Sequence, residues 1–332
     1  MDLFPSPEQE LLTATASDFA ARSVDPQAVR SLEAGEPGHD RDHWATMVEL
    51  GWTELDPVEL ALVAERLGRA VLPSPLPVTG ALRGALPDLA AQLPPDAVLT
   101  LAALTPGSLH EWAAAAIPGG DTLTHSFVLV PFAASAGVVV VATTSGLAAF
   151  DPSGPGVVLT RHDAIGGDPL YRVDCTAVPM SPVAGTIDAA LDHLAVCGLA
   201  YAVGAAEGAL ALAVQHAKDR QQFGRPIGAF QAVAHRCADA RAEVDACRTL
   251  ALRAAWALDR GDDREFAVAS ALAYANDALR RVAMHAHQVH GAIGFSTEHD
   301  LHLFTRRIKA YELTYGSTAR HQERLASAIG LQ

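Results

Sequence analysis

Two segments in the C-terminal half of the chain combine residue types that could bind a phosphate-bearing nucleotide. The first is Asp219–His235, DRQQFGRPIGAFQAVAH, and the second is Gln288–Phe295, QVHGAIGF. An arginine on a corner relieved by glycine can hold a pyrophosphate through two parallel N–H bonds, and a neighbouring aromatic side chain can cover the edge of a planar ring such as adenine. A glycine-rich turn lets backbone N–H groups approach a phosphate with no Cβ in the way.

The elements that must position these two segments are long helices. From Ile187 onward the sequence is alanine-rich and shows a sustained 3.6-residue periodicity, with breaks near 224–228, 261–263 and 291–296. These breaks predict about four long helices, as in an antiparallel bundle. The first segment then lies at the corner between the first two helices, and the second lies at a glycine turn.

The residues before Ile187 show a different sequence pattern. Apolar and charged positions separate onto two faces of a helix over 59–68, and a proline cluster follows at Pro73, Pro75 and Pro77. Between about 96 and 183, short β-branched runs alternate with turn residues, which predicts strands. We therefore predict an α+β protein with an N-terminal helical domain (1–95), a middle β-domain (96–185) and a C-terminal four-helix bundle (186–332).

Composition excludes several classes of protein. The chain of 332 residues carries a net charge of -14, which repels a nucleic acid backbone. No uninterrupted apolar run approaches the ~20 residues of a membrane span, so we expect no membrane insertion. The first ten residues lack a signal peptide pattern, and four cysteines are too sparse to staple the fold, so we expect a cytoplasmic protein. His290 is interpreted as a polar spacer rather than a base or ligand, and no metal site is expected.

The two segments resemble the acyl-CoA dehydrogenase family, whose bundle carries R-x-x-F-G-x-x-I-x-x-x-Q and then Q-x-x-G-G-x-G-(F/Y). This resemblance extends over the whole bundle and implies FAD as the cofactor, with its ADP half held by these segments and its flavin ring mainly in the neighbouring subunit. Taken alone, Arg220 would be interpreted as a solvated cation at a helix end. By position in the family, the implied cofactor contacts are Arg220, Gln222, Phe223, Gln231, Gln288, Gly291, Ala292 and Thr318. Ala292 replaces the second glycine of the family motif.

The rest of the chain departs from the family pattern in two places. A glycine-rich loop between the N-terminal helices is shortened to Thr53–Pro57, and the T-E-P-x-x-G-S-D loop that cradles the flavin is missing. The resemblance thus implies that the bundle retains its contacts to FAD, whereas the flavin-binding part of the β-domain is reduced.

The catalytic base is also displaced. The family desaturates an acyl-CoA by removing an α-proton with a carboxylate while the β-hydrogen leaves as hydride. The Glu of the usual Y-E-G-T motif aligns with Gly316, which cannot act as a base. Some members place the base eleven residues before the Gln of the glycine turn, where Asp277 stands here. Asp277 could alternatively be an exposed carboxylate paired with Arg280 or Arg281, and Glu312 is a weaker candidate base.

Three hypotheses follow from this pattern. The chain resembles the short subunit of actinobacterial heteromeric dehydrogenases, several of which act on steroid-derived CoA thioesters; it would complete the FAD site of a full-length partner in a heterotetramer. Alternatively, it is a self-sufficient homo-oligomer that uses Asp277 as base. A third possibility is a catalytically silent scaffold or binding module. The family implies an acyl-CoA substrate and an electron-transferring flavoprotein as electron acceptor.

Overall fold

The structure is a computed structural model that describes residues 5–105, 116–261 and 263–331. Within these ranges the chain packs into two compact units. The helical unit comprises the chain up to Gln27, Ala61–Leu72 and the chain from Gly198 onward. The mixed unit comprises Ala28–Leu60 and Pro73–Cys197. The N-terminal helices are thus shared between the units, and the division at 95 and 185 remains a prediction.

Helices form the N-terminal third of the chain. The first begins at a capping box, because the Ser6 hydroxyl accepts the Gln9 N–H while the Gln9 side chain accepts the Ser6 N–H. The helix predicted over 59–68 is observed with two further residues before it and one after it. The helices are α1 (Pro7–Ser23), α2 (Pro26–Ala34), α3 (Arg41–Glu49), α4 (Pro57–Arg69), α5 (Leu76–Ala85) and α6 (Pro87–Ala90).

Strands follow in the mixed unit, as predicted from the β-branched runs. They are β1 (Leu99–Ala102), β2 (Thr122–Pro131), β3 (Val138–Thr143), β4 (Gly146–Phe150), β5 (Val157–His162), β6 (Leu170–Pro179) and β7 (Ser181–Val183). One sheet has the order β1-β3-β4-β7 with β1 parallel to β3, and the other is antiparallel with the order β2-β6-β5. Side chains of both sheets, among them Phe127, Val141 and Val173, share one buried core.

The C-terminal part is helical, with breaks where glycines were noted. Its elements are α7 (Ile187–Asp219), β8 (Gln221–Gln222), β9 (Arg225–Pro226), α8 (Gln231–Arg260), α9 (Arg264–His290), α10 (Leu301–Thr314) and α11 (Thr318–Ala328). The first three helices are long, but the expected fourth is two shorter helices. The chain breaks between them because Gly316 adopts a φ of 96° and the Ser317 hydroxyl then caps α11.

Buried ion pairs connect α4, α7 and α8 within the helical unit. The Arg248 guanidinium donates to Glu65 at 2.9 Å and to Glu207 at 2.6 Å. Glu65 is only 3% exposed, and it also accepts a bond of 2.7 Å from Arg66. The Arg248 guanidinium therefore links three helices through ion pairs that are buried from water.

Hydropathy alone does not distinguish whether the apolar helix α7 is a membrane span or a core helix. An 18-residue window of α7 has a mean hydropathy of 1.6, enough for a membrane span by length and composition. However, 83% of that window is buried inside the protein, as expected of a core helix. Its alanines at 209, 213 and 217 pack against α9 and α10. This burial identifies α7 as a core helix of the protein.

Candidate nucleotide-binding end of the helical unit

The corner between α7 and α8 is a tight β-hairpin. Gln221 pairs with Pro226 and Gln222 pairs with Arg225, which leaves Phe223 and Gly224 as the two turn residues. Both have positive φ, 54° and 77°, as a two-residue turn with primed geometry requires. The hairpin is closed by the Ile227 N–H, which donates to the Arg220 carbonyl at 2.8 Å. The sequence thus fixes this corner by backbone geometry rather than by burial.

The side chains predicted at this corner point outward. Arg220, Gln222 and Gln231 are exposed, and Phe223 is 91% exposed. Within the described part of the chain, no hydrogen bond or ion pair engages the Arg220 guanidinium. Its neighbour Arg225 differs, because that guanidinium lies 4.2 Å from the centre of the Phe230 ring. The Arg220 guanidinium, which has no partner among the described residues, and the exposed ring of Phe223 therefore lie on the same hairpin.

The second predicted segment ends α9. Gly291 caps the helix with φ 65° and ψ -140°, a conformation that side chains with a Cβ rarely adopt. A Cβ placed on Gly291 would meet no atom within 4 Å, so the backbone here is open. Gln288, Gly291 and Ala292 are exposed, and the turn continues as a 3-10 helix over Gly291–Phe295.

Both predicted segments lie at the same end of the helical unit. An apolar cluster joins Ala217 of α7, Val289 of α9 and Ile227 of the corner. The rings of His216 and His290 stack with centroids 4.8 Å apart and an interplanar angle of 25°. Since the Arg220 N–H bonds to the His216 carbonyl, this stack couples the hairpin to the end of α9.

His290 is part of a buried imidazole cluster that the sequence did not predict. It is 6% exposed, and its Nδ1 donates to the Ala286 carbonyl at 2.7 Å. His299 packs edge-on against it at 4.7 Å. Burial lowers the pKa of both His216 and His290, and neighbouring imidazoles add to the effect. No cluster in the described ranges has the arrangement of a metal site.

The remaining predicted residues lie farther along α9. Asn276 is buried and its amide donates to the Gly316 carbonyl at 2.9 Å, so Gly316 and Thr318 lie beside the middle of that helix. Asn276 precedes Gln288 by twelve residues, a distance of about 18 Å along a helix. Thr318 is thus separated from the other predicted cofactor residues.

Asp277 makes the surface pair that was one of its two interpretations. Its carboxylate accepts from Arg280 at 3.1 Å, and the Asp277 side chain is 44% exposed. Glu312 pairs with Lys309 at 3.0 Å in the same way. Both carboxylates are therefore engaged by a cation one helical turn away. Whether Asp277 also acts as a base remains a prediction.

Comparison with known proteins decides the family. Residues 185–330 match the model of the acyl-CoA dehydrogenase C-terminal domain. Acyl-CoA dehydrogenase IpdE2 of Mycobacterium tuberculosis is 32% identical over 325 residues, which cover 91% of this chain and 91% of that protein. The chain belongs to the acyl-CoA dehydrogenase family. Acyl-CoA dehydrogenase IpdE2 of Mycolicibacterium smegmatis is 28% identical, over 98% of this chain and 99% of that protein.

Solved structures agree with this assignment. The Tcur3481-Tcur3483 steroid ACAD, an acyl-CoA dehydrogenase, superposes with a TM-score of 0.85 at 26% identity, covering 97% of each chain. The ChsE4-ChsE5 complex from Mycobacterium tuberculosis gives a TM-score of 0.86 at 24% identity over the full length of both chains. The acyl-CoA dehydrogenase fold, with N-terminal helices, middle sheets and a C-terminal helical domain, is therefore that of this chain.

The residues at the end of the helical unit fit a dinucleotide such as the FAD typical of this family. The Arg220 guanidinium has no partner in the described part of the chain and can take a pyrophosphate in its fork. The open backbone of Gly291 admits close approach of a phosphate. The uncovered ring of Phe223 offers a face for stacking. This chemistry complements the ADP half of the cofactor.

Proposed function

We propose that this chain is a subunit of an FAD-dependent acyl-CoA dehydrogenase that completes the FAD site of a full-length partner. One observation carries the proposal: an unpartnered Arg220 on a rigid hairpin stands at the same end of the unit as the open Gly291 turn. Both face outward, as groups that reach a cofactor held by another chain must. When bound, FAD accepts the hydride that leaves the β-carbon of the acyl group.

The residues of this chain bind and orient the ADP half. Arg220 forms two charge-assisted hydrogen bonds to the pyrophosphate, and Gly291 and Ala292 bring backbone N–H groups to it. Phe223 packs on the planar part of the nucleotide, while Gln222, Gln231 and Gln288 supply amide contacts. Thr318, near the middle of α9, contributes a hydroxyl to a more distant part of the cofactor.

The α-proton is taken by a carboxylate of the partner. Gly316 stands where most of the family has Glu, and its carbonyl is bonded to Asn276. Asp277 is held by Arg280 and is nearly half exposed. An ion-paired, solvated carboxylate is a poor base for a weakly acidic carbon, because its oxygens are already engaged by a cation and by water.

The substrate class follows from the relatives. We propose a steroid-derived CoA thioester as the substrate, since the Tcur3481-Tcur3483 protein, at 26% identity, is a steroid ACAD. An electron-transferring flavoprotein is the proposed electron acceptor. A cytoplasmic location is supported by the free thiols of Cys175, Cys197, Cys237 and Cys247.

The test is the ratio of bound flavin to chain, measured by absorbance after purification. We expect little flavin when the chain is produced alone and a stoichiometric amount when it is co-produced with a full-length acyl-CoA dehydrogenase homologue from the same organism. A yellow protein that the chain forms alone, and whose flavin is reduced on adding an acyl-CoA, would contradict the proposal. If the two chains form no complex and hold no flavin, the third hypothesis, a catalytically silent scaffold, is favoured.

A second candidate is the self-sufficient homo-oligomer. The observation in its favour is that Asp277 follows directly after Asn276, the residue bonded to Gly316, so a carboxylate does lie near the position of the lost base. On this reading substrate binding must displace Arg280 from Asp277.

The variant Arg220→Ala tests whether Arg220 contacts the cofactor or is only an exposed surface charge. We expect the co-purified complex to lose at least half of its flavin, while the melting temperature measured after FAD removal changes little. Arg260→Ala is the matched control, since Arg260 is an exposed arginine at the opposite end of the 30-residue helix α8. Equal flavin retention by the two variants would remove Arg220 from the site.

A further inference from the structure

The imidazole cluster at the end of the helical unit joins three separate parts of the chain. His216 lies near the C-terminal end of α7, His290 is the last residue of α9, and His299 precedes α10. The ring of His216 stacks on that of His290 at 4.8 Å, and the ring of His299 packs edge-on against it at 4.7 Å. The His290 ring is therefore the shared partner of the other two.

The hydrogen bonds of this cluster require neutral rings. The Nδ1 of His290 carries a proton, because the Ala286 carbonyl at 2.7 Å can only accept. Its Nε2 is buried and has no hydrogen-bond partner within the described ranges, so a second proton there would be a buried donor without an acceptor. The Nδ1 of His299 accepts the Leu301 N–H at 3.1 Å and must therefore be unprotonated.

The surrounding charges also oppose protonation. The titratable and charged groups that act on the stacked rings of His216 and His290 are His287, His299, Asp219 and Arg220. Burial lowers the pKa of His290, and the neighbouring imidazoles lower it further. Burial also lowers the pKa of His216, on which Arg220 and Asp219 act with opposite signs. Acidification thus brings like charges together on two rings that lie 4.8 Å apart.

The backbone connects the stacked rings to both segments that are proposed to bind the nucleotide. The Arg220 N–H donates to the His216 carbonyl at 2.9 Å, and the Ile227 N–H donates to the Arg220 carbonyl at 2.8 Å. On the other side, Gly291 follows His290 directly and turns the chain with a φ of 65°. Separation of the two rings would therefore move the Arg220 hairpin relative to the Gly291 turn.

We propose that His290 is a positioning residue that holds the Arg220 hairpin at the Gly291 turn only while its ring and that of His216 are neutral. Acid opens this joint, defined by the two stacked rings, and thereby weakens nucleotide binding, a consequence that rests on the proposed function. An imidazole that stays neutral in the closed joint and titrates near 6.5 in the open one raises the open fraction about tenfold from pH 7.5 to pH 5.5.

The test is hydrogen exchange of the full chain, measured by mass spectrometry at pH 7.5 and pH 5.5 and expressed as protection relative to the unfolded chain. In wild type we expect the protection of peptides over 220–230 and 286–296 to fall about tenfold or more at the lower pH. A peptide over 244–257, in the more buried part of α8, reports global unfolding and should change less. Equal protection of the hairpin at both pH values overturns the proposal.

The variant His290→Phe keeps an aromatic ring that cannot take up a proton. A charged His216 can then lie on the face of that ring, which is a favourable contact, so we expect hairpin protection at the two pH values to agree within about twofold. His235→Phe is the matched control and should behave as wild type, because His235 is an exposed histidine of α8. Acid loss in His290→Phe equal to that of wild type overturns the proposal. His216→Phe makes the same test from the other ring if His290→Phe does not fold.

Flavin retention distinguishes a failure of this inference from a failure of the proposed function. After dialysis at pH 5.5, the co-produced wild-type complex should lose at least half of its FAD, measured by absorbance, whereas the His290→Phe complex should keep it. If exchange responds to acid as expected but flavin retention does not, the joint is supported and the hairpin is not a cofactor contact. That result contradicts the proposed function instead.

Discussion

Asp277 shows how one neighbour decides what a carboxylate can do. Its carboxylate accepts a bond of 3.1 Å from Arg280, and its side chain is 44% exposed. A base for an α-proton needs the opposite surroundings, since burial raises the pKa and with it the driving force for proton transfer. A carboxylate on the partner chain can have such surroundings, and we therefore propose that the partner removes the α-proton.

Asp277→Asn distinguishes the two catalytic proposals. If the partner supplies the base, we expect kcat of the assembled enzyme to stay within about twofold of wild type, because only a surface ion pair is lost. Loss of a true general base would lower kcat by roughly 10²–10⁴. The measurement is steady-state reduction of an artificial electron acceptor. Arg280→Gln serves as control, since it breaks the same pair but keeps the carboxylate.

His321 is a second residue with a testable charge. It is fully buried, its ring bonds to the Tyr315 carbonyl at 2.7 Å, and its Nδ1 has no partner in the described ranges. Burial lowers its pKa to about 4. An unfolded histidine titrates near 6.5, so the unfolded chain takes up the proton first as the pH falls. The stabilisation is therefore complete above pH 6.5 and is lost as the pH falls towards 4.

The variant His321→Gln should remove this pH dependence. A glutamine amide can still donate to the Tyr315 carbonyl but does not titrate. We expect wild type to lose up to about 3 kcal/mol of unfolding free energy between pH 6.5 and pH 4 through this histidine, and the variant to lose correspondingly less. Urea denaturation at several pH values provides the measurement. Parallel curves for the two proteins would show that His321 is protonated or exposed in the folded state.

At the scale of elements, the helical unit depends on a charge cluster as well as on apolar packing. Arg248 of α8 bonds to Glu65 of α4 and Glu207 of α7, and Glu65 is almost fully buried. Replacing Arg248 leaves a buried carboxylate with fewer partners, a change that costs far more than an exposed ion pair.

Arg248→Met should lower the unfolding free energy by about 2–4 kcal/mol, because Glu65 and Glu207 lose a shared cation. Arg241→Met is the matched control: Arg241 also pairs with Glu207 and Asp245, but its side chain is 49% exposed. For this control we expect less than about 1 kcal/mol. Similar losses in both variants, measured by chemical denaturation, would show that burial of the cluster does not matter.

The element pattern was largely predictable because it is local. Breaks near 224–228, 261–263 and 291–296 are visible as glycines, and Gly261 indeed ends α8 with a φ of 75°. The break between α10 and α11 was missed, since its cause includes the contact of Gly316 with Asn276, forty residues earlier.

Long-range contacts also explain why the burial of His290 was not predicted. Its burial results from His216 and His299, which lie on other elements, so no helical periodicity reveals it. The hairpin at Phe223 is a different case, because its cause is local. The sequence indicated a corner there, but residue preference does not predict the positive φ at a phenylalanine that this two-residue turn requires.

At the scale of the whole molecule, we expect a partner or a ligand to cover one end of the helical unit. Phe223 is 91% exposed and Phe295 is 75% exposed, and both belong to the end that carries Arg220 and Gly291. Large aromatic side chains at such exposure gain much apolar burial when a partner or a planar ligand covers them. The net charge of -14 opposes self-association of the chain.

Phe223→Ser should therefore affect the assembly and not the isolated chain. The side chain contributes little burial to its own unit, so the melting temperature of the separate chain should change by less than about 2 °C. In the co-produced complex we expect flavin content to fall by at least half, since the stacking face is gone. Leu313→Ser is the control, because Leu313 is 61% exposed on α10 in the same unit. If Phe223→Ser retains flavin as well as this control does, the exposed ring serves neither the cofactor nor the partner, and the outward-facing hairpin is a surface feature only.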